Sequence, residues 1–326
     1  MTCISHPFTA RVSAVHKERW QLRAENGEEL FARLKSSVYY ADSATAAYPT
    51  VGDYVAYQPN DAGDALITET LPRRSLFTRL DPRTRQQAQA VAANFDTVFV
   101  MTSANQDFSA GRLERYITES WQSGATPVVL VTKCDLCADA ESYLAEAARV
   151  CVDVDVLPIS SVTGEGLAAL SPYLAPGRTV VFLGSSGVGK STLVNALIGR
   201  EAMKTGAIRQ DDEEGRHTTT YRQLLSLPGG AFVIDTPGMR ELGMWDVSVG
   251  LDRAFAEIDA LAESCRFRDC THRTEPGCAV RAALESGELD EKRYRSYLRL
   301  AEQARYVDPK RAYVLGKTVR HDRSRR

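Results

Sequence analysis

The stretch Gly184–Thr192 reads GSSGVGKST and fits the pattern G-x-x-x-x-G-K-[ST]. Residues of these types at this spacing suit phosphate binding. Gly184, Gly187 and Gly189 let the backbone curl around a polyphosphate so that successive N–H groups point inward. The N-terminus of a following helix adds partial positive charge. Lys190 then reaches the β- and γ-phosphates, and the Ser191 hydroxyl is placed to ligate Mg2+. Three glycines could also be a mere turn. The context argues otherwise, because the apolar RTVVFLG precedes the loop and the helical KSTLVNALIG follows it.

Further stretches belong with such a loop. VIDTPG, residues 233–238, puts Asp235 at a strand end, where it would hold Mg2+ through water, and lets the Gly238 N–H meet the γ-phosphate. Alone it is a common turn signature; downstream of a phosphate loop it reads as a second switch. Between the two lies EEGRHTTT, residues 213–220, whose threonines can complete the Mg2+ shell, Thr218 and Thr219 being the leading candidates. The charged run from Lys204 to Arg216 has the composition of a loop that orders on the γ-phosphate.

The base is addressed upstream. VVLVTKCD, residues 128–135, is an apolar run ending in Lys133 and Asp135. The Asp135 carboxylate can accept two hydrogen bonds from guanine N1 and N2, a donor pair that adenine lacks. Lys133 would lay its stem along the base. Thr132 stands where many guanine-binding proteins carry Asn, and its hydroxyl offers one polar contact. ISSVTGEGL, residues 159–167, sets Ser160 and Ser161 at the next strand end, resembling a loop that closes over guanine. Either stretch alone reads equally well as a strand ending in polar residues. Together they point to guanine.

The order is therefore base motifs, phosphate loop, first switch, second switch, a circular permutation of the usual GTPase order. A sheet survives such a cut because domain termini often lie close together at the surface. Asp235–Gly238 becomes the C-terminal end of the nucleotide domain, so a nucleotide-dependent movement could pass to the C-terminal segment. That segment contains CRFRDCTHRTEPGC, which spaces Cys265, Cys270, His272 and Cys278 as C-x4-C-x-H-x5-C. Three thiolates and an imidazole suit tetrahedral Zn2+, and the expected site is structural rather than catalytic. Free cysteines buried in a helical domain are the alternative. The cluster has no C-x-x-C that a redox pair would show.

These residues need elements to hold them. The chain has 326 residues, enough for two or three domains, with 44% hydrophobic and 25% charged residues and a net charge of −2. Any nucleic-acid site must then be a local patch. No apolar run has the length of a membrane span, and the N-terminal stretch lacks a signal peptide's apolar core, so a cytoplasmic protein is expected. An odd cysteine total, with Cys3, Cys134, Cys137 and Cys151 scattered, argues against a disulfide framework. Residues 1–72 alternate short β-like runs with turn residues, as a small OB-type barrel needs; an SH3-like barrel would look much the same. Residues 73–245 alternate apolar strands with amphipathic helices, the texture of a mostly parallel α/β sheet. Residues 246–326 read as helical around the Cys/His cluster. They end in the basic KRAYVLGKTVRHDRSRR, either a solvated tail or a phosphate binder.

With GRHTTT, DTPGMRELGMWD, FRDCTHRTEPGCAV, VGDYV, LPRRSLFTR and VAANFDTVFVMTSANQDF, the chain resembles the bacterial small-ribosomal-subunit-dependent GTPase A (RsgA) family over nearly its whole length. The resemblance implies an N-terminal OB domain, a permuted GTPase domain and a C-terminal zinc domain. It also implies a protein that binds the 30S subunit and its 16S rRNA, acts late in 30S maturation and hydrolyses GTP to GDP faster when bound. A monomer is expected because no heptad or exposed apolar helix demands a partner. Carried over by motif, GTP contacts fall on Thr132, Lys133, Cys134 and Asp135, and on Gly184, Ser185, Ser186, Gly187, Val188, Gly189, Lys190, Ser191 and Thr192. Zinc ligands fall on Cys265, Cys270, His272 and Cys278. Many GTPases place a Gln after the second-switch Gly to orient water; here that position is Met239, so a slow intrinsic rate is expected. His217 is the local candidate for that task, and Gly187 replaces the Asn associated with K+-assisted hydrolysis. Competing expectations are a GTP-gated RNA-binding module in which hydrolysis only resets binding, and a P-loop ATPase or small-molecule kinase.

Overall fold

The computed structural model describes residues 8–16, 18–35, 48–61, 63–80, 88–199, 222–235 and 248–305. The first five strands are β1 (Thr9–His16), β2 (Arg19–Ala24), β3 (Glu29–Leu34), β4 (Tyr54–Gln58) and β5 (Ala65–Thr70). They close in the order β1-β2-β3-β5-β4-β1, with β3 and β5 parallel and the other pairs antiparallel. This is the OB-type barrel rather than the SH3-like one. Val12, Trp20, Leu22, Ala32, Val55 and Ile67 fill it. Burial of the Trp20 ring is compatible with its polar edge because Nε1 donates to Pro49 O at 2.8 Å.

A hairpin that the sequence pattern did not announce comes next, β6 (Leu76–Leu80) with β7 (Ala88–Ala93). Then come β8 (Thr97–Ser103), α1 (Ala110–Gln122), β9 (Thr126–Thr132), α2 (Ala140–Val150), β10 (Val156–Pro158), β11 (Thr179–Gly184), α3 (Lys190–Ile198), β12 (Gln223–Ser226) and β13 (Phe232–Asp235). The strands order as β10-β9-β8-β11-β13-β12, parallel except for β12. β8 and β11 are buried along their whole length, which explains their uninterrupted apolar sequences. Between β10 and β11 the amphipathic-helix texture is met by a 3-10 helix, Leu167–Leu174, in which Pro172 cannot donate an N–H.

The two sheets join. β12 pairs antiparallel with β1, making one run of eleven strands from β10 to β4. Arg11 of β1 crosses the seam and is 7% exposed. Its Nη2 donates to Thr179 Oγ1 at 2.8 Å and Asn94 O at 3.1 Å, and its Nε to Gly52 O at 3.3 Å. The barrel is therefore bolted to the start of β11, the strand that carries the phosphate loop.

The remaining elements are α4 (Ser248–Ala254), α5 (Ala256–Ala262), α6 (Ala279–Ser286) and α7 (Glu291–Arg305). α4 and α5 are separate helices because Phe255 between them leaves helical dihedrals (φ −127°, ψ 44°). Its fully buried ring sits beneath the Arg293 guanidinium, 4.1 Å from Cζ to centroid.

Candidate functional site

Parallel pairing fixes where the motifs meet. Ser103 aligns with Thr132, Met101 with Gly184, and Val181 with Ile234, so β8, β9, β11 and β13 end on one edge of the sheet. The phosphate-loop strand β11 lies between β8 and β13, the place where doubly wound sheets open a crevice for ligands.

Gly187 (φ +72°) and Gly189 (φ +107°) adopt the left-handed conformations the loop requires, and Gly189 caps α3. Lys190 folds back over the loop and donates from Nζ to Gly184 O at 2.9 Å and Ser185 O at 2.8 Å. Ser186 is exposed, Ser185, Ser191 and Thr192 are half-buried, and Val188 is packed inward. The Lys190 bonds hold the ammonium at the start of α3, against the loop backbone.

The base-reading loops are latched to it. Thr132 is 2% exposed, and its hydroxyl donates to Val188 O of the phosphate loop at 2.8 Å. The one polar contact expected of Thr132 thus goes to the loop backbone, making it a positioning residue. Lys133 next to it is left-handed (φ +61°), unusual without glycine, and it turns the chain into a short 3-10 helix, Cys134–Leu136. Asp135 in that turn is exposed. In the neighbouring loop, Ser160 is buried and its Oγ accepts from the Thr163 N–H at 3.1 Å, while Ser161 is half-exposed. Gly166 closes this loop at φ +76°, where a Cβ would lie 2.1 Å from Pro158 O.

Asp235 ends β13, and its Oδ2 is buried with no hydrogen-bond partner among the described residues. Burial pushes its carboxyl up from 3.8 to about 6, against the opposing pull of Lys190. A buried carboxylate oxygen without a hydrogen-bond partner, feeling the charge of the loop lysine, fits a Mg2+-water ligand. His217, Thr218, Thr219, Gly238 and Met239 lie outside the described residues.

The sequence reading overlooked Asp107. It accepts from Ser185 Oγ at 2.6 Å and from Arg112 Nη1 at 3.1 Å, and the Ser185 bond, helped by Arg112, lowers its pKa. Asn105 orders this loop, its Oδ1 accepting from the Asp107 N–H and Ser103 Oγ, both at 2.9 Å. The ANQDF stretch carried the signal, but nothing in its spacing says that it reaches the phosphate loop.

The Cys/His cluster converges as a second site. The ligand atoms of Cys265, Cys270, His272 and Cys278 all lie within 4.8 Å of one another. His272 Nδ1 is 3.6 Å from Cys265 Sγ and 3.5 Å from Cys278 Sγ, and those sulfurs are 3.8 Å apart. A tetrahedral metal with bonds of about 2.0–2.3 Å requires ligand separations of roughly 3.5–3.8 Å, so the donor set fits one metal ion. Glu275 pins the connecting loop, its carboxylate accepting from the Thr271 hydroxyl and from the N–H groups of Thr271, Arg273 and Thr274; the Thr271 hydroxyl bond, helped by the Thr271 and Thr274 N–H groups, lowers its pKa.

Comparison with known proteins gives the same picture. The family model described as RsgA GTPase matches residues 70–245. A relative from Lactiplantibacillus plantarum, named small ribosomal subunit biogenesis GTPase RsgA 2, is 47% identical over 91% of this chain and 83% of its own. The crystal structure of YjeQ from Thermotoga maritima superposes with TM-score 0.69 at 26% identity, covering 91% of this chain and 98% of that one. The structure of YloQ, described as a circularly permuted GTPase, gives 0.64 at 25% identity over 93% and 98%.

Proposed function

Because the chain belongs to the RsgA GTPase family, we propose that it binds the small ribosomal subunit and acts in its late maturation, hydrolysing GTP faster when bound. The observation that carries this reading is the convergence on one sheet edge of a phosphate loop and two base loops, latched by the Thr132–Val188 bond, with an OB barrel bolted alongside. The relatives' printed role in small-subunit biogenesis favours this over a module whose hydrolysis merely resets binding. The domains are residues 1–72, 73–245 and 246–326, the first offering a surface for 16S rRNA. A monomer in the cytoplasm, where such subunits mature, completes the reading. Among the described residues no helix is long and apolar enough to cross a membrane.

In this reading Asp135 accepts from guanine N1 and N2, Lys133 lies along the base, and the 160–161 loop covers it. The loop N–H groups of 184–192 and Lys190 bind the phosphates. Ser191, Asp235 and one of Thr218 and Thr219 hold Mg2+, which when bound neutralises charge developing on the phosphates. Thr132 and Asp107 position the loop, and His217 orients the attacking water. The Cys265, Cys270, His272 and Cys278 site holds one structural Zn2+.

Steady-state GTP hydrolysis with and without purified 30S subunits tests the proposal. Strong stimulation is expected, and a rate indifferent to the subunit overturns it. Asp135→Asn should lose guanine preference and gain xanthine nucleotides in competition binding, because the amide replaces an acceptor with a donor.

A further inference from the structure

The cysteines that look scattered along the chain include one C-x-x-C, Cys134-Asp135-Leu136-Cys137, wrapped around the residue proposed to read guanine. Both thiols are free. They bracket the 3-10 turn, which the Cys137 N–H closes by donating to Cys134 O at 3.3 Å. A turn of this kind keeps its first and fourth Cα atoms within about 7 Å. A disulfide spans about 4.4–6.8 Å between Cα atoms, so the backbone is already near a bridging separation.

The four side chains divide by direction. Asp135 and Leu136 face solvent, Leu136 being 79% exposed. Cys134 and Cys137 are half-buried and pack against the same apolar cluster beneath the sheet. Cys134 Sγ also donates to Val131 O at 3.2 Å, which ties the turn to the end of β9. The other cysteines have different surroundings. Cys265, Cys270 and Cys278 converge on His272, and Cys151 is buried, its thiol pushed up to about 12.

We propose that Cys134 and Cys137 form a redox-responsive dithiol whose oxidation by a low-molecular-weight disulfide weakens guanine-nucleotide binding by reshaping the turn that carries Asp135. The proposal rests on Asp135 as the base reader. The Cys137 thiolate attacks one sulfur of the oxidant, whose S–S bond breaks and releases one thiolate. Cys134, having lost its proton, attacks the Cys137 sulfur of the mixed disulfide and expels the second thiolate. Two protein thiols become one disulfide, the oxidant disulfide becomes two thiols, and the two protons end on the departing thiols. Burial raises the Cys134 thiol's pKa, which disfavours Cys134 as the first nucleophile.

Closing the bond draws the two Cβ atoms to about 3.8 Å and takes Cys134 Sγ off Val131 O. The outer face of the turn moves with it. A guanine nucleotide that holds the turn in its reduced form must, by linkage, resist the oxidation to the same degree. Where thiols are normally kept reduced, such a pair responds to oxidative stress.

The test uses the full-length, zinc-loaded protein equilibrated in glutathione/glutathione-disulfide mixtures. Affinity is read with fluorescent mant-GDP and mant-ADP, the 134–137 peptide by mass, and metal content in parallel. The reduced protein should prefer mant-GDP. Oxidation should remove two hydrogens from the 134–137 peptide, weaken mant-GDP binding about tenfold with zinc retained, and be reversed by dithiothreitol. Cys137→Ser and Cys137→Ala should bind mant-GDP as the reduced parent does and ignore the redox mixture. A reduced protein blind to the base would overturn the Asp135 assignment and this proposal with it. A guanine-selective protein that fails to form the bridge, forms it without losing affinity, or responds equally as Cys137→Ser would overturn the proposal alone.

Discussion

Thr132 illustrates how one hydroxyl can hold two loops in register. It is buried at the end of β9, and its hydroxyl donates to the phosphate-loop carbonyl of Val188. Thr132→Val keeps the shape and leaves that carbonyl without its partner, at a cost of ~1–3 kcal/mol. Thermal unfolding should show the loss, titration with GDP should show weaker binding, and Thr132→Ser should restore both. Asp235 makes a pH prediction. Its carboxyl rises from 3.8 to about 6 because burial disfavours the charge. A raised acid contributes stability below its unfolded pKa and loses it as pH rises through the folded one, so the nucleotide-free protein should lose stability between about pH 4 and pH 6. Mg2+ needs the ionised form. The Mg2+-dependent part of GTP affinity should therefore climb about tenfold per pH unit up to about pH 6 and then level, and Asp235→Asn should be weak and flat.

Elements meet through backbone as well as side chains. At Gly250 the helix α4 lies so close to α1 that a Cβ would stand 2.1 Å from Thr118 O, and the Gly250 N–H donates to Gln122 Oε1 at 2.9 Å. Gly250→Ala must push the helices apart, and a loss of ~1–3 kcal/mol is expected in denaturant unfolding. A melting curve indistinguishable from the parent's would show that the approach is not held. This contact stands at the start of the helical region, directly after the second-switch stretch, so it is one route by which the nucleotide-site sheet touches the helical region with the Cys/His cluster. The broken helix at Phe255 belongs to the same packing. Its ring supports Arg293, and the turn lets α4 follow α1 while α5 diverges toward the Cys/His loop.

Across the whole molecule, single arginines fasten the domains. Arg11 joins the barrel to β11. Arg293 of α7 is 5% exposed and donates to Glu114 of α1 and Val150 O at 3.0 Å, to Glu257 of α5 at 2.6 Å, and to Ala254 O. The Cys/His loop is held by Glu275 and by Tyr294, whose hydroxyl donates to His272 O at 2.5 Å. Removing its ion with a chelator should expose three thiols to alkylation, unfold the 265–278 loop first, and lower the melting temperature by several degrees, while GDP binding persists. Thiol counting with and without chelator checks it. Retention of full thiol protection would argue against a metal at these residues.

The fold, the phosphate-loop and base motifs that meet on one sheet edge, and the Cys/His cluster were legible in the sequence, for physical reasons that differ by motif. The glycines and lysine of 184–192 allow few alternatives, the apolar runs of β8 and β11 demand cover on both faces, and C-x4-C-x-H-x5-C has one common chemistry. Motif order alone determined that the GTPase is permuted. The hairpin β6–β7, the turn at Phe255, the β1–β12 seam, and the contacts of Asp107 and Thr132 with the phosphate loop were decided only by the tertiary structure. All but the hairpin depend on partners far away in the chain, as Ser185 is from Asp107, and local periodicity records what a segment must bury but not which distant group it will meet.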